Sequence, residues 1–275
     1  MTVTRLTMRR VEKPWGRTKL WPGFDDPAAD GEPVGEIWFE TPEGEAEPEL
    51  LIKYLFTSEK LSIQVHPDDA QARERGYPRG KDEAWVILDS EPDSTIALGT
   101  MRPVDGDALR EAALDGSIEQ LMDWKHFDAG DTVYSPAGTV HAIGAGLTLI
   151  EVQQNVDLTY RLYDYGRPRE LHLDDGVAVS RAEPFVVEDR SRIVGDGRTI
   201  LCEGPKFVLE RWNDEPRGLM LPDGVTGWFV PVTGAGIIGD APFVAGECYM
   251  VTGEVGVSLD RGSTALFAYP GDRAL

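Results

Sequence analysis

The sequence predicts a mainly β protein, a sandwich or barrel carrying short helical insertions, and three observations lead there. Runs rich in Val, Ile, Phe, Tyr and Trp (Gly35 to Glu40, Leu50 to Phe56, Leu61 to Val65, Ala84 to Leu88) are punctuated by Gly, Pro and Asp. Helical spacing is confined to short stretches between them. The 275 residues, 41% of them apolar, suffice to bury a large core, whereas no stretch approaches the roughly 18 to 20 apolar residues that a membrane-spanning helix needs.

The N-terminal MTVTRLTMRRVEKPWG is basic, with no apolar run behind it, so a secretory signal is not expected and a cytoplasmic protein is. Leu61 to Val65 reads as a strand on which Ser62, Gln64 and His66 alternate and share one face. Pro67 to Gly80, opening with Pro and two Asp before an Ala/Arg/Glu run, predicts a short helix. Lys81 and Glu83 repeat the two-residue spacing. Between Asp105 and Trp124, Leu109, Ala112, Ala113, Ile118, Leu121 and Met122 fall at mostly helical spacing, with Gly116 as the interruption, so two short helices are expected. Gly130 and Asp131 open a further strand, and Pro136 with Gly138 sets a tight turn that aims the next strand, and His141 on it, inward.

One carboxylate (Glu83), two imidazoles (His66, His141) and one amide (Gln64) can therefore converge on a single ion. Such an N/O donor set suits zinc, or manganese or cobalt. His126 and His172 lack this context and are read as structural. A formal charge of −21, from 48 acidic against 27 basic residues, argues against a nucleic-acid or acidic-membrane partner. It leaves room for a small anionic ligand only where Lys and Arg cluster locally. Cys202 and Cys248 have no second Cys or His at ligand spacing and are expected to stay reduced.

The spacing from Gly130 through Pro136 and Gly138 to His141 resembles the second motif of the cupin superfamily, whose fold is a double-stranded jelly roll. The first cupin motif is altered: Gln64 stands where a His is usual, and sixteen residues separate His66 from Glu83. Those departures resemble the type I mannose-6-phosphate isomerases, in particular their short bacterial form. The resemblance is carried by KPWG (13–16), GEIW (35–38), LSIQVHPDD (61–69), KDEAWVIL (81–88), PAGTVHAIGAG (136–146) and TYRLYDYGR (159–167).

The resemblance implies a metal-dependent aldose–ketose isomerase interconverting mannose 6-phosphate and fructose 6-phosphate through a cis-enediol. It implies that Gln64, His66, Glu83 and His141 hold one divalent ion, zinc by preference. It implies that Arg161, Glu151 and Lys81 act in catalysis, and that Ser62, Lys53 and Arg161 contact the phosphosugar. The proton-abstracting base stays open among Glu151, a metal-bound water and Lys81. Arg161 is weighed against a structural pairing with Asp157 or Asp164. Trp15, Trp38 and Trp85 are expected to pack around the barrel, with stacking on sugar as the lesser alternative. In the last hundred residues AGECYMVTGEVGVSL weakly echoes AGDTVYSPAGTVHAI, with Val257 where His141 stands. A second, metal-free jelly roll over residues 181–275 is therefore expected after a catalytic roll over 1–180, with the linker near Ser180 to Arg192. Two other classes were weighed: a cupin oxygenase, disfavoured by Gln64 and the basic residues, and a non-catalytic sugar-phosphate-binding cupin.

Overall fold

The β-branched and aromatic runs form four antiparallel sheets in the computed structural model, which describes residues 2–44, 47–195, 197–213 and 217–275. A six-stranded sheet is ordered Thr7–Arg17, Val34–Glu40, Leu50–Phe56, Leu147–Gln154, Glu83–Ser90, Thr132–Ser135. Facing it is a five-stranded sheet ordered Tyr160–Tyr163, Ile63–Val65, His141–Ile143, Ile96–Thr100, Met122–Lys125. Leu55, Trp85, Ile87 and Leu149 of the first meet Ile96, Leu98 and Ile143 of the second in a buried core. This is the first jelly roll. A seven-stranded and a four-stranded sheet form the second, in which Trp212, Phe229 and Phe267 pack against Phe243, Val257 and Leu259.

The two rolls are joined back to back by their large sheets. Along Leu50–Phe56 every residue is buried, because alternation sends Lys53 and Leu55 into the first roll and Ile52, Tyr54 and Phe56 out of its back. There they meet Phe207, Leu209, Trp228, Val230 and Leu266 of the second roll. Strand Thr2–Arg5 pairs with Tyr249–Thr252, inside the second roll's sheet. The connection bridges back through Thr139 to Arg181 and Gly99 to Pro184, and Phe185 and Val187 rest on the first roll's core. Cys202 and Cys248 are free thiols buried between the rolls. Among the described residues no helix is long and apolar enough to cross a membrane.

The helices are short, as expected, and close the outer face of the five-stranded sheet. Asp69–Glu74 is capped by Asp68, whose carboxylate accepts from Gln71 N (2.9 Å) while Gln71 Oε1 accepts from Asp68 N (3.0 Å). Gly106–Asp115 and Ile118–Leu121 are separated at Gly116, whose φ of 83° a residue with a Cβ resists. The helical reading through Trp124 is corrected: Met122–Lys125 is a strand that extends the edge of the five-stranded sheet beside Ile96–Thr100. The strand expected from Leu61 is also shorter, Ile63–Val65. Pro67 has no N–H to continue a ladder, and the His66 carbonyl instead accepts from Gly138 N (2.7 Å).

Phe207, fully buried, lies in the contact between the rolls. Phe207→Ala is expected to cost about 3–5 kcal/mol in urea unfolding. Tryptophan fluorescence and far-ultraviolet circular dichroism should report one shared transition, because both rolls lose the same core.

Candidate metal centre

Three segments deliver His66, Glu83 and His141 to one point, with candidate ligand atoms all within 4.8 Å of one another. His66 lies one residue past its short strand, Glu83 opens its own, and His141 opens the strand after the Pro136 turn, opposite Gln64 in register. Gly138 makes that turn possible with a φ of 87°. His66 Nδ1 donates to the Leu158 carbonyl (2.9 Å) and His141 Nδ1 to that of Thr139 (2.9 Å). With Nδ1 carrying the proton, each ring turns an Nε2 lone pair toward the same place. His66 Nε2 is 3.3 Å from Glu83 Oε1, and His141 Nε2 is 3.5 Å from Glu83 Oε2.

Among the described residues, His66 Nε2 and both Glu83 oxygens are buried without a hydrogen-bond partner. Lys81 Nζ sits 2.8 Å from Glu83 Oε1, at ion-pair distance but off the direction a hydrogen bond requires. Buried acceptors of this kind cost several kcal/mol unless a cation meets them, so the donor set fits a divalent metal. Gln64 Nε2 lies 3.3 Å from His141 Nε2, while Gln64 Oε1 accepts from Ser62 Oγ (3.1 Å). A half-turn of the amide presents the oxygen to the cluster instead.

Burial, then Lys81, pushes the His66 imidazolium down to about 4, and burial lowers that of His141. Burial alone would raise Glu83, but the Lys81 ammonium and then His66 outweigh it and hold the carboxyl well below its usual range. Lys81 in turn would be lowered by burial, yet Glu83 and Glu151 keep it protonated above the ordinary lysine value. The donor set is thus neutral imidazole, anionic carboxylate and a standing ammonium beside them.

Beside the buried cluster, Lys81 and Gln64 line a cleft of about 380 Å³ together with Lys53, Ser62, Glu151 and Arg161. Cross-strand register places Glu151 between Lys53 and Trp85. Its oxygens accept from Lys53 Nζ (3.2 Å) and Trp85 Nε1 (3.0 Å). Arg161 lies opposite Gln64. Asp164 does not pair with it, being taken by Arg167 (2.8 Å) and Arg169 (2.5 Å). Instead Arg161 Nη1 donates to the Glu170 carbonyl (2.7 Å), and its buried Nε has no partner among the described residues. His172 holds the Arg161 backbone, accepting its N–H at 3.1 Å, and His126 bonds Ser94 and Asp128 away from the cleft. Both histidines therefore lie outside the cluster.

Sequence reading did not single out Glu36, Trp38, Asp157 and Arg169 as cleft residues. Trp15 and Trp85 pack in the barrel as expected, although Trp15 also borders the cleft. Trp38 is corrected: it is half-buried in the cleft wall, with Lys53 Nζ 4.4 Å over its ring and its Nε1 donating to Glu36 Oε2 (2.6 Å). The two-residue step from Glu36 to Trp38 in GEIW was the available signal. Six cations (Arg9, Lys13, Lys53, Lys81, Arg161, Arg169) face three carboxylates (Glu36, Glu151, Asp157) across the cleft, a local excess of positive charge within an acidic protein. A second cavity of about 300 Å³, beside Tyr134 and Cys202, contains none of the predicted site residues.

No family model matches the chain. It is 36% identical over 198 residues to mannose-6-phosphate isomerase ManA of Bacillus subtilis (strain 168), covering 66% of this chain and 62% of that protein. It superposes on the crystal structure of the mannose 6-phosphate isomerase from Bacillus subtilis with a TM-score of 0.82 at 25% identity, over 98% of this chain and 99% of that one. The chain belongs to the mannose-6-phosphate isomerase family. A zinc-bound holo mannose 6-phosphate isomerase shares the family fold at a TM-score of 0.73 and 14% identity, over 98% of this chain and all of that one. By sequence, the chain spans about half to two thirds the length of the curated relatives it matches.

In the metal-free protein, NMR titration should find the His66 ring protonating near pH 4 and that of His126 above the ordinary histidine value, raised by the Ser94 carbonyl and Asp128. Because His66 titrates lower folded than unfolded, the unfolded chain takes up the proton first. Chelated protein should therefore lose stability as pH falls from about 6.5 toward 4. A stability profile flat across that window contradicts the assignment.

Proposed function

We propose that this chain is a metal-dependent aldose–ketose isomerase interconverting mannose 6-phosphate and fructose 6-phosphate. One observation carries the reading: a buried His66–Glu83–His141 set, with His66 Nε2 and both Glu83 oxygens unpartnered among the described residues, adjoins through Lys81 and Gln64 a cleft with an excess of Lys and Arg. The donors suit a metal and the cations suit a phosphosugar. In this reading residues 1–180 form the catalytic roll, apart from strand Thr2–Arg5, which pairs into the second roll's sheet, and 181–275 the metal-free one, in a cytoplasmic enzyme whose partner is its small substrate.

Gln64, His66, Glu83 and His141 would hold one divalent ion, for which zinc is the best match to neutral nitrogen and carboxylate donors. Such an ion polarises a sugar oxygen as a Lewis acid. Around it the chain's own groups divide the work. Converting the aldose to the ketose takes a proton from C2 and returns it to C1. Lys81, held protonated by its carboxylate neighbours, acts as a donor to the developing enediolate rather than as the base. Among the side chains, that leaves Glu151, fixed by Lys53 and Trp85, as the carboxylate to move the proton. Arg161, with an unpartnered buried Nε, supplies a guanidinium for the oxyanion or the phosphate. Ser62 and Lys53 complete the sugar contacts. An oxygenase is not favoured, because the ligand set here is crowded by Lys81.

A coupled assay on fructose 6-phosphate and mannose 6-phosphate should show activity that is abolished by chelation and restored by zinc. Wild-type protein inactive on both sugars after zinc loading refutes the reading. Arg161→Ala should lower kcat/KM by roughly 10²–10³-fold. Glu151→Gln should lower kcat by about 10²–10⁴-fold while zinc content stays at the wild-type level. Full activity of either variant removes that residue from the mechanism.

A further inference from the structure

The sixteen residues between His66 and Glu83 leave one candidate ligand and return with the next, and a single carboxylate holds the two ends of that excursion together. Asp69 Oδ1 accepts from Gly80 N (2.8 Å) and from Gln154 Nε2 (3.1 Å). Gln154 Oε1 accepts from Asp82 N (3.0 Å), the residue beside Glu83. The backbones touch as well: Lys81 N donates to the Pro67 carbonyl (3.1 Å), and a Cβ on Gly80 would lie 2.4 Å from the Asp68 carbonyl carbon. The remaining oxygen of Asp69 is held from the other half of the chain, because Lys206 Nζ lies 2.7 Å from Asp69 Oδ2.

A second set of contacts runs in parallel. Asp82 Oδ1 accepts from Ala137 N (3.0 Å), in the turn that aims His141, and Asp82 Oδ2 accepts from Tyr134 OH (2.6 Å). The Tyr134 ring packs on Phe207 at 5.2 Å, next to Lys206. Lys206 and Phe207 leave a tight turn closed by Gly204 N on the Phe207 carbonyl (3.0 Å). The second roll therefore contacts both the Glu83 approach and the His141 turn.

We propose that Lys206, although it belongs to the metal-free roll, is a positioning residue for the metal centre, acting through Asp69 and Gln154 on the backbone that presents Glu83. This rests on reading His66, Glu83 and His141 as metal ligands and is independent of which sugar is isomerised. The Lys206 and Asp69 side chains are 29% and 21% exposed, and an ion pair of that exposure adds little to global stability. Its effect should therefore appear at the site. Partners that orient ligands from behind typically alter metal affinity or activity by 10–100-fold when removed.

The test is zinc affinity, measured by competition with a chromophoric chelator, alongside kcat and KM. Lys206→Met should weaken zinc binding about tenfold or more and lower kcat with KM nearly unchanged, while the unfolding midpoint of the chelated protein stays at the wild-type value. Lys206→Arg, which keeps a cation for Asp69, should restore zinc affinity. Asp69→Asn should reproduce the loss and serves in its place if Lys206→Met fails to fold. Lys19→Met, which breaks the exposed pair with Asp26 (2.8 Å), neither residue lining the cleft, should change nothing. Zinc affinity and kcat within about twofold of wild type in both Lys206→Met and Asp69→Asn overturn the proposal, since a 10–100-fold effect is expected. So does a loss that tracks a lowered unfolding midpoint and is not restored by arginine. Wild-type protein that binds zinc but isomerises neither sugar removes the proposed function and leaves this comparison intact.

Discussion

Glu83 is a buried carboxylate whose oxygens meet no well-directed hydrogen bond among the described residues, and the first roll is arranged around that cost. An uncompensated buried charge would unfold a domain of ordinary stability. Lys81 at 2.8 Å and two imidazoles at 3.3 and 3.5 Å offset part of the penalty. Their own positions are set from behind: Leu158 and Thr139 carbonyls fix the ring tautomers, Glu83 and Glu151 hold the ammonium, and Asp82 ties the approach strand to the Pro136 turn. Each compensating group is thus also a group that shapes the cleft.

Sheet register converts this local electrostatics into a site. Because side chains alternate, the large sheet presents Lys53, Trp85 and Glu151 inward as one row across three neighbouring strands, while Ile52, Tyr54 and Phe56 leave by the other face. A shift of one residue would exchange those faces and bury the charges between the rolls. The apolar seam between the two large sheets therefore locks the register on which the cleft depends. Through that seam the second roll bears on the geometry of the cleft without lining it.

Much of the fold was legible. Strand runs at 50–56 and 84–88, the second observed as 83–90, the interruption at Gly116 and the turn through Gly138 all follow from local preferences that packing reinforces. Met122 and Trp124 misled because a helical spacing and an edge strand look alike over three residues, and only the neighbouring strand Ile96–Thr100 decides between them. Trp38 misled for a related reason: a Trp on a strand is read as core unless a facing cation and carboxylate are known to be there.

The sequence by itself determined the donor types and their spacing, because glutamine, histidine and glutamate carry their chemistry wherever they are placed, and the glycines and prolines between them restrict the backbone locally. It also determined that an anion site would need cations against the overall charge. Only the tertiary structure decided that the three candidate ligand atoms converge, which imidazole nitrogen faces inward, that Lys81 stays protonated, and that Lys206 reaches Asp69 across 137 residues of chain. Those outcomes depend on burial and on distances between residues remote in sequence, and neither is a property of a local stretch of chain.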